Sequence, residues 1–234
     1  EIKLGTTLYG PHRDDIEFYL NEKNLKTYGS QGQKRLAILA VKLSEINIFK
    51  QYQNTNPILL LDDVFSELDD IKKNNLIKFI KDFDAKRTDG KSFNIVGACY
   101  PELHPESKSV YDDIDFLKRK VDAGASHLLS QLFFDNEKFY RFLERCRIKG
   151  INVPIEAGIM PATNKKSIER MVSLTNAVLP KKFTQMMERY ADSPEAIRDA
   201  GIAYAVDQIV DLVTHGVQGI HLYTMNNPYV AKKI

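Results

Sequence analysis

Tryptophan is absent from the 234 residues, cysteine occurs only twice, and no apolar run approaches the length of a membrane span. A spanning helix needs about 20 consecutive apolar residues, so a helical integral membrane protein is excluded and no membrane contact is expected. Cys99 and Cys146 are too few for a disulfide framework and suit a reducing cytoplasm. Charge of one sign is also missing: 33 basic side chains face 31 acidic ones, a formal net charge of +2. Nucleic acid or an anionic surface would therefore need a local patch, since the molecule has no global field to attract it. No basic stretch followed by an apolar run opens the chain, so no signal peptide is read there, and the expected compartment is the cytoplasm. The first residue is Glu1 rather than Met, and the sequence reads as an excerpt.

What is present is a globular composition, 43% hydrophobic and 27% charged, long enough for one large domain or two small ones. The most loop-like stretch, Asp84 to Ser92, is the candidate junction. Before it, Lys3 to Tyr9 and Ile16 to Leu20 read as short strands. Gln33 to Phe49 carries the apolar stripe of a helix, Pro57 to Leu61 is a continuous apolar run suited to a buried parallel strand, and Asp69 to Phe83 is a second helix. After it, strands are expected at Phe93 to Tyr100, Leu128 to Phe134, Val153 to Met160 and Ile220 to Met225. Helices are expected near Tyr111 to Ala123, Glu137 to Lys149, Lys165 to Asn176 and Pro194 to His215. Such alternation predicts an α/β fold with parallel strands, as a sheet or a β/α barrel.

Two clusters carry chemistry. In the first, Tyr28-Gly29-Ser30-Gln31-Gly32-Gln33-Lys34-Arg35 opens a helix, where small residues and backbone N–H groups favour an anion. Further on, Asp62 and Asp63 end the Pro57 to Leu61 run, an arrangement in which one carboxylate orients Mg²⁺ and its neighbour polarises a water. With GPHRDDI and the SELDD segment, residues 1 to about 82 resemble the C-terminal lobe of RecF-type DNA replication and repair ATPases, relatives of the ABC and SMC ATPases. The resemblance implies a signature loop of Ser30, Gln31, Gly32 and Gln33 that meets nucleotide in trans. It makes Asp62 the Mg²⁺ residue acting through water, Asp63 the catalytic acid, and Ser66 to Asp69 a dimer contact. That family also needs a Gly-x-x-Gly-x-Gly-Lys-Ser/Thr phosphate loop, which this chain does not have in full, so no independent ATP hydrolysis is expected.

In the second cluster, Gly97-Ala98-Cys99-Tyr100-Pro101-Glu102-Leu103-His104-Pro105-Glu106 is followed by Leu117-Lys118-Arg119-Lys120-Val121-Asp122-Ala123-Gly124-Ala125. After these come Gln131-Leu132-Phe133-Phe134-Asp135, Gly158-Ile159-Met160-Pro161 and Leu222-Tyr223-Thr224-Met225-Asn226. Residues from about 86 to 234 thereby resemble the C-terminal half of methylenetetrahydrofolate reductase, a flavin-dependent β/α barrel of folate and methionine metabolism. The resemblance implies FAD contacts at Ala98, Tyr100, His104, Asp113, Arg119 and Lys120, and folate-substrate contacts at Gln131 and Tyr223. It sets Met171 where an aromatic often covers the folate. It also implies a glutamate on the first strand and an Arg-Gly-Asp at the end of the fourth, and this sequence supplies neither. Phe133 and Phe134 read as core rather than as ligand contacts.

Together these readings give an ABC-ATPase-like lobe fragment, residues 1–84, fused to half of a TIM-type β/α barrel, residues 85–234. Such a chimera is expected to be inactive as it stands, with FAD weakly held or lost and ATP/Mg²⁺ not held without a phosphate loop. DNA enters only through the RecF-like context. Pro57 to Leu61 is expected to pair beside the Phe93 strand, turning Asp62 or Asp63 to the flavin-side rim. Five strand–helix units cannot close an eight-stranded barrel, so self-association through open sheet edges is expected.

Overall fold

The computed structural model describes residues 14–53, 58–59, 70–85, 92–105 and 107–234. The chain divides into two compact units, Glu1–Asp69 and Asp70–Ile234.

In the first unit, β1 (Tyr19–Leu20) and β2 (Lys23–Asn24) form an antiparallel hairpin. Asn21 (φ 50°) and Glu22 (φ 65°) make the turn, both in the left-handed region that a two-residue type I′ hairpin demands. Asn24 then caps the short α1 (Leu25–Tyr28), its side chain accepting from the Lys26 N–H at 2.8 Å. Gly29 follows because any Cβ there would stand 2.5 Å from the Leu25 carbonyl oxygen. α2 (Gln31–Gln53) buries Leu39, Leu43 and Ile46, spaced four and three residues apart along one face. It starts two residues before the expected helix and ends four after it. The expected strand over Lys3 to Tyr9 lies outside the described residues. Of the apolar run Pro57 to Leu61, only Ile58 and Leu59 are described; neither belongs to a strand and Ile58 is exposed.

The second unit opens with α3 (Asp70–Ala85), which two side chains fasten to the segment leading into the sheet. The Asp84 carboxylate accepts from the Phe93 N–H at 2.9 Å, and Lys81 Nζ donates to the Phe93 carbonyl at 3.0 Å. α3 also packs on α4 (Val110–Asp122), where Gly124 at φ 125° leaves room for the Lys81 and Ile77 side chains. Thus the helix that the sequence groups with residues 1–84 is held by the sheet unit, and the compact units part at Asp69/Asp70.

Four parallel strands, β3 (Val96–Cys99), β4 (His127–Ser130), β5 (Ile155–Ile159) and β6 (Gly219–Leu222), lie side by side in chain order. The crossovers are α4, α5 (Asn136–Ile148), and then α6 (Lys165–Thr175), α7 (Lys181–Arg189) and α8 (Pro194–Thr214) together. Side chains at Ser109, Asp135, Asn164 and Ser193 cap α4, α5, α6 and α8 by accepting a backbone N–H of the first turn. Leu128, Ile155, Ala157 and Ile159 alternate onto the helix side and form the main core with Phe133, Phe139 and Phe142. Phe133 stacks on Phe139 at 4.7 Å between ring centroids. A second core gathers at the C-terminal strand ends around Phe134, Met160, Ile168, Phe183 and Met187. The phenylalanine pair is core, as its reading from sequence expected.

After β6 the chain forms a helix, α9 (Pro228–Lys233), capped by the Asn227 side chain and anchored by fully buried Val230. Among the described residues, β3 pairs with β4; the expected pairing of Pro57 to Leu61 falls mostly outside the described residues. No described helix is long and apolar enough to cross a membrane.

Candidate functional site

The C-terminal ends of parallel strands are where backbone ladders stop and side chains are free to converge. At the end of β3, Tyr100 and His104 meet edge to face with ring centroids 4.4 Å apart. The loop between them is fixed by Asp113 on α4, whose Oδ2 accepts from the His104 N–H at 3.1 Å and whose Oδ1 accepts from Ser107 Oγ at 3.1 Å.

Seven residues on, along the same face of α4, Lys120 reaches the outer edge of β3. The carbonyls of Ile95 and Cys99 turn toward β4, accepting from Ser126, His127 and Gln131. By strand alternation the Ala98 carbonyl points away from β4, and Lys120 Nζ donates to it at 2.6 Å. Gly97 gives the lysine its path, since a Cβ there would lie 2.9 Å from Lys120 Cδ. Ala98, Tyr100, His104, Asp113 and Lys120 are therefore one constellation.

Arg119 is not part of it. One residue before Lys120 on α4, it lines a charged surface groove of about 420 Å³ with Asp112, Asp115, Lys118 and Lys149. Lys118 there pairs with Asp122 and Lys149 with Asp115. Phe116 lies between the two cations, 5.7 Å from the Arg119 guanidinium and 5.3 Å from Lys120 Nζ.

Gln131 follows β4, and its side-chain oxygen accepts from the Leu132 N–H at 2.9 Å. Tyr223, just past β6, reaches back across β5 to donate to the Ser130 carbonyl at 3.0 Å. Gly158 makes this possible: a Cβ there would stand 2.3 Å from that same carbonyl oxygen and 2.7 Å from the tyrosine ring. Burial raises the Tyr223 phenol above its usual value, with Cys99 and Tyr100 adding to the effect. Burial likewise pushes both thiols up, Cys146 to about 12, so neither is a poised nucleophile.

Two residues without an expected role belong to this rim. Fully buried Ser130 accepts from the Gly158 N–H at 2.8 Å and donates to the Gln131 carbonyl at 3.0 Å. Its only sign in the sequence is one hydroxyl in the apolar run LLSQLFF. Glu102, in the middle of the β3 loop, accepts from Lys138 Nζ at 2.7 Å.

In the first unit, Ser30 and Gln33 form a reciprocal capping box. The Ser30 N–H donates to Gln33 Oε1 at 2.8 Å, and the Gln33 N–H donates to Ser30 Oγ at 3.3 Å. Gln31 and Gly32 sit in the first turn of α2 between them. These side chains satisfy the start of their own helix. Asp62, Asp63 and Ser66 to Asp69 lie outside the described residues. Among the described residues, no group of three or more His, Cys, Asp and Glu side chains is arranged for a metal ion.

A parallel β/α sheet in chain order, with polar and aromatic groups at its C-terminal strand ends, is the repeating architecture of the TIM-barrel class. The chain belongs to the methylenetetrahydrofolate reductase family, whose sequence profile matches residues 62–234. It is 42% identical over 134 residues to the 5,10-methylenetetrahydrofolate reductase of Escherichia coli K12, covering 57% of this chain and 45% of that protein. It is 39% identical over 159 residues to the 5,10-methylenetetrahydrofolate reductase of Buchnera aphidicola, covering 68% and 51%. With methylenetetrahydrofolate reductase (NADH) 1 of Arabidopsis thaliana it shares 38% over 146 residues, covering 58% and 25%. The chain thus spans about half of these bacterial relatives and a quarter of the plant one. An uncharacterized protein from Clostridium thermocellum, solved as binding two copies of 5-methyl-5,6,7,8-tetrahydrofolic acid, shares the fold. Its TM-score is 0.50 at 15% identity, over 68% of this chain and 55% of that one.

Proposed function

We propose that the sheet unit is the flavin- and folate-binding half of a methylenetetrahydrofolate reductase barrel. Ala98, Tyr100, His104, Asp113 and Lys120 face FAD, and Gln131 and Tyr223 face a reduced folate. The observation that carries this reading is the constellation at the end of β3. A ring, an imidazole, a carboxylate and an ammonium gather there at one end of β3.

The residues present fit such a group. Lys120 holds its ammonium on a backbone carbonyl that a phosphate oxygen can replace at no cost in charge. Gly97 and Ala98 keep bulk away from that edge. Bound FAD would supply hydride chemistry that no side chain of this chain can perform. The chain's own part is to bind and orient. Asp113 presents the Tyr100–His104 pair, and Tyr223 offers a hydroxyl beside the folate position. The reading assigns this stretch of chain the binding and orientation of flavin and folate.

Titration of the purified chain with FAD, followed by quenching of flavin fluorescence, tests the reading. Lys120→Ala and His104→Ala each remove a polar contact and are expected to weaken binding by roughly tenfold or more. Arg119→Ala, outside the constellation, is expected to leave it nearly unchanged. Equal loss in all three variants contradicts the assignment.

The expected chimera is not supported: the family match begins at residue 62 and takes in Asp62, Asp63 and Ser66 to Asp69, which that reading gave to an ATPase lobe, and Ser30 to Gln33 lie outside it. Gly90-Lys91-Ser92 does end like a phosphate loop, but Ala85 and Thr88 occupy its glycine positions. The capping box uses Ser30 and Gln33 locally. No ATP-dependent activity is assigned to these residues.

A further inference from the structure

Glu102 sits in the loop that carries Tyr100 and His104, yet its side chain points away from them and is only 11% exposed. One oxygen accepts from Lys138 Nζ on α5 at 2.7 Å. Both oxygens accept the Val178 N–H, at 3.1 and 3.0 Å. Val178 belongs to the connection between α6 and α7, 76 residues away in the chain. That connection has no ladder to hold it. It leaves α6 through Asn176 at φ 56° and enters α7 at Pro180, a cap without a side-chain hydrogen bond. Its neighbour Ala177 is buried in the second core, where Met171 of α6 also packs. One carboxylate therefore joins the β3 loop to the helical segment over the other side of the strand ends.

We propose that Glu102 is a positioning residue for folate, acting through the Val178 backbone. Resting on the reading above, in which the β3 loop is the flavin side, Glu102 registers the α6–α7 segment against that loop and so shapes the folate side of the site. The chemistry required is an acceptor for the Val178 N–H. The charge pair with Lys138 secures the carboxylate, whose partner is 31% exposed and has solvent as an alternative.

The test is the affinity of the full chain, saturated with FAD, for 5-methyltetrahydrofolate, measured beside its melting temperature. Glu102→Met keeps the side-chain volume and removes both acceptors; it is expected to weaken folate binding by about tenfold while FAD binding changes by less than about threefold. Glu102→Gln keeps an acceptor for Val178 and is expected to restore folate affinity to within about threefold of the unmodified chain, as is Lys138→Met. A general structural role would lower FAD and folate binding together and follow the melting temperature across all three variants; that result overturns the proposal. So does unchanged folate binding in Glu102→Met, or an equal loss in Glu102→Gln. Should the unmodified chain bind FAD and not folate, both the folate-side reading and this inference fall. Should it bind both while the variants disobey, only the inference does.

Discussion

Gly158 is the residue on which the rim of the sheet closes most tightly. The Tyr223 ring lies over its missing side chain, and the tyrosine hydroxyl and the glycine Cα approach the same Ser130 carbonyl. Gly158→Ala must push one of them aside, with an expected loss of about 1–3 kcal/mol in stability, read by denaturant unfolding. Ser130→Ala leaves the buried Gly158 N–H without its 2.8 Å acceptor and is expected to cost about 1–3 kcal/mol by the same measurement. The residues of this rim were unequally legible in the sequence. Tyr100, His104 and Lys120 stood in motifs whose residue types announce chemistry. Arg119 looked equivalent to Lys120, but the helical step of about 100° separates their faces. Ser130 and Glu102 act by hydrogen bonds to backbone groups 28 and 76 residues away, and no local pattern encodes such partners.

Among the elements, α4, α5, α6 and α8 were legible because each starts at a polar cap before an apolar-periodic run. α7 starts at Pro180 without a side-chain cap, and α9 has six residues, so neither carries enough pattern to be read. The join of α5 and α8 is polar as well as apolar. Asp211 accepts from Asn136 Nδ2 and from Tyr140 Oη, each at 2.7 Å, and these bonds hold its carboxyl below the usual range. Tyr204 on α8 donates to the Phe134 carbonyl at 2.7 Å, and burial pushes its phenol from 10.0 to about 12, with Asp135 and Asp207 contributing. A phenol that holds its proton more tightly when folded adds stability that is complete below its unfolded value and is lost as pH rises toward its folded value. The melting temperature is therefore expected to fall between about pH 10 and about pH 12, and the fall to be shallower in Tyr204→Phe. An equally steep fall in that variant would remove Tyr204 as a cause.

Across the whole molecule, the α/β class and the order of strands and helices after residue 92 were legible because parallel sheets repeat one unit. A polar stretch marked residue 84 as the junction, whereas the compact units part at Asp69/Asp70 and the family match begins at residue 62. Composition marks a polar stretch; it does not register that Asp84 and Lys81 clasp Phe93 from its far side in the sequence. α3 thus belongs with the reductase-like sheet, and the site at the end of β3 stands on a unit that begins before the polar stretch.

The central claim is that this sheet unit carries the flavin-binding face of a methylenetetrahydrofolate reductase. Its most direct test is the visible spectrum of the full chain after equilibration with FAD and removal of free flavin. Flavin bands retained with the protein, and diminished in Lys120→Ala, are the predicted result. A colourless chain at saturating FAD would contradict the claim.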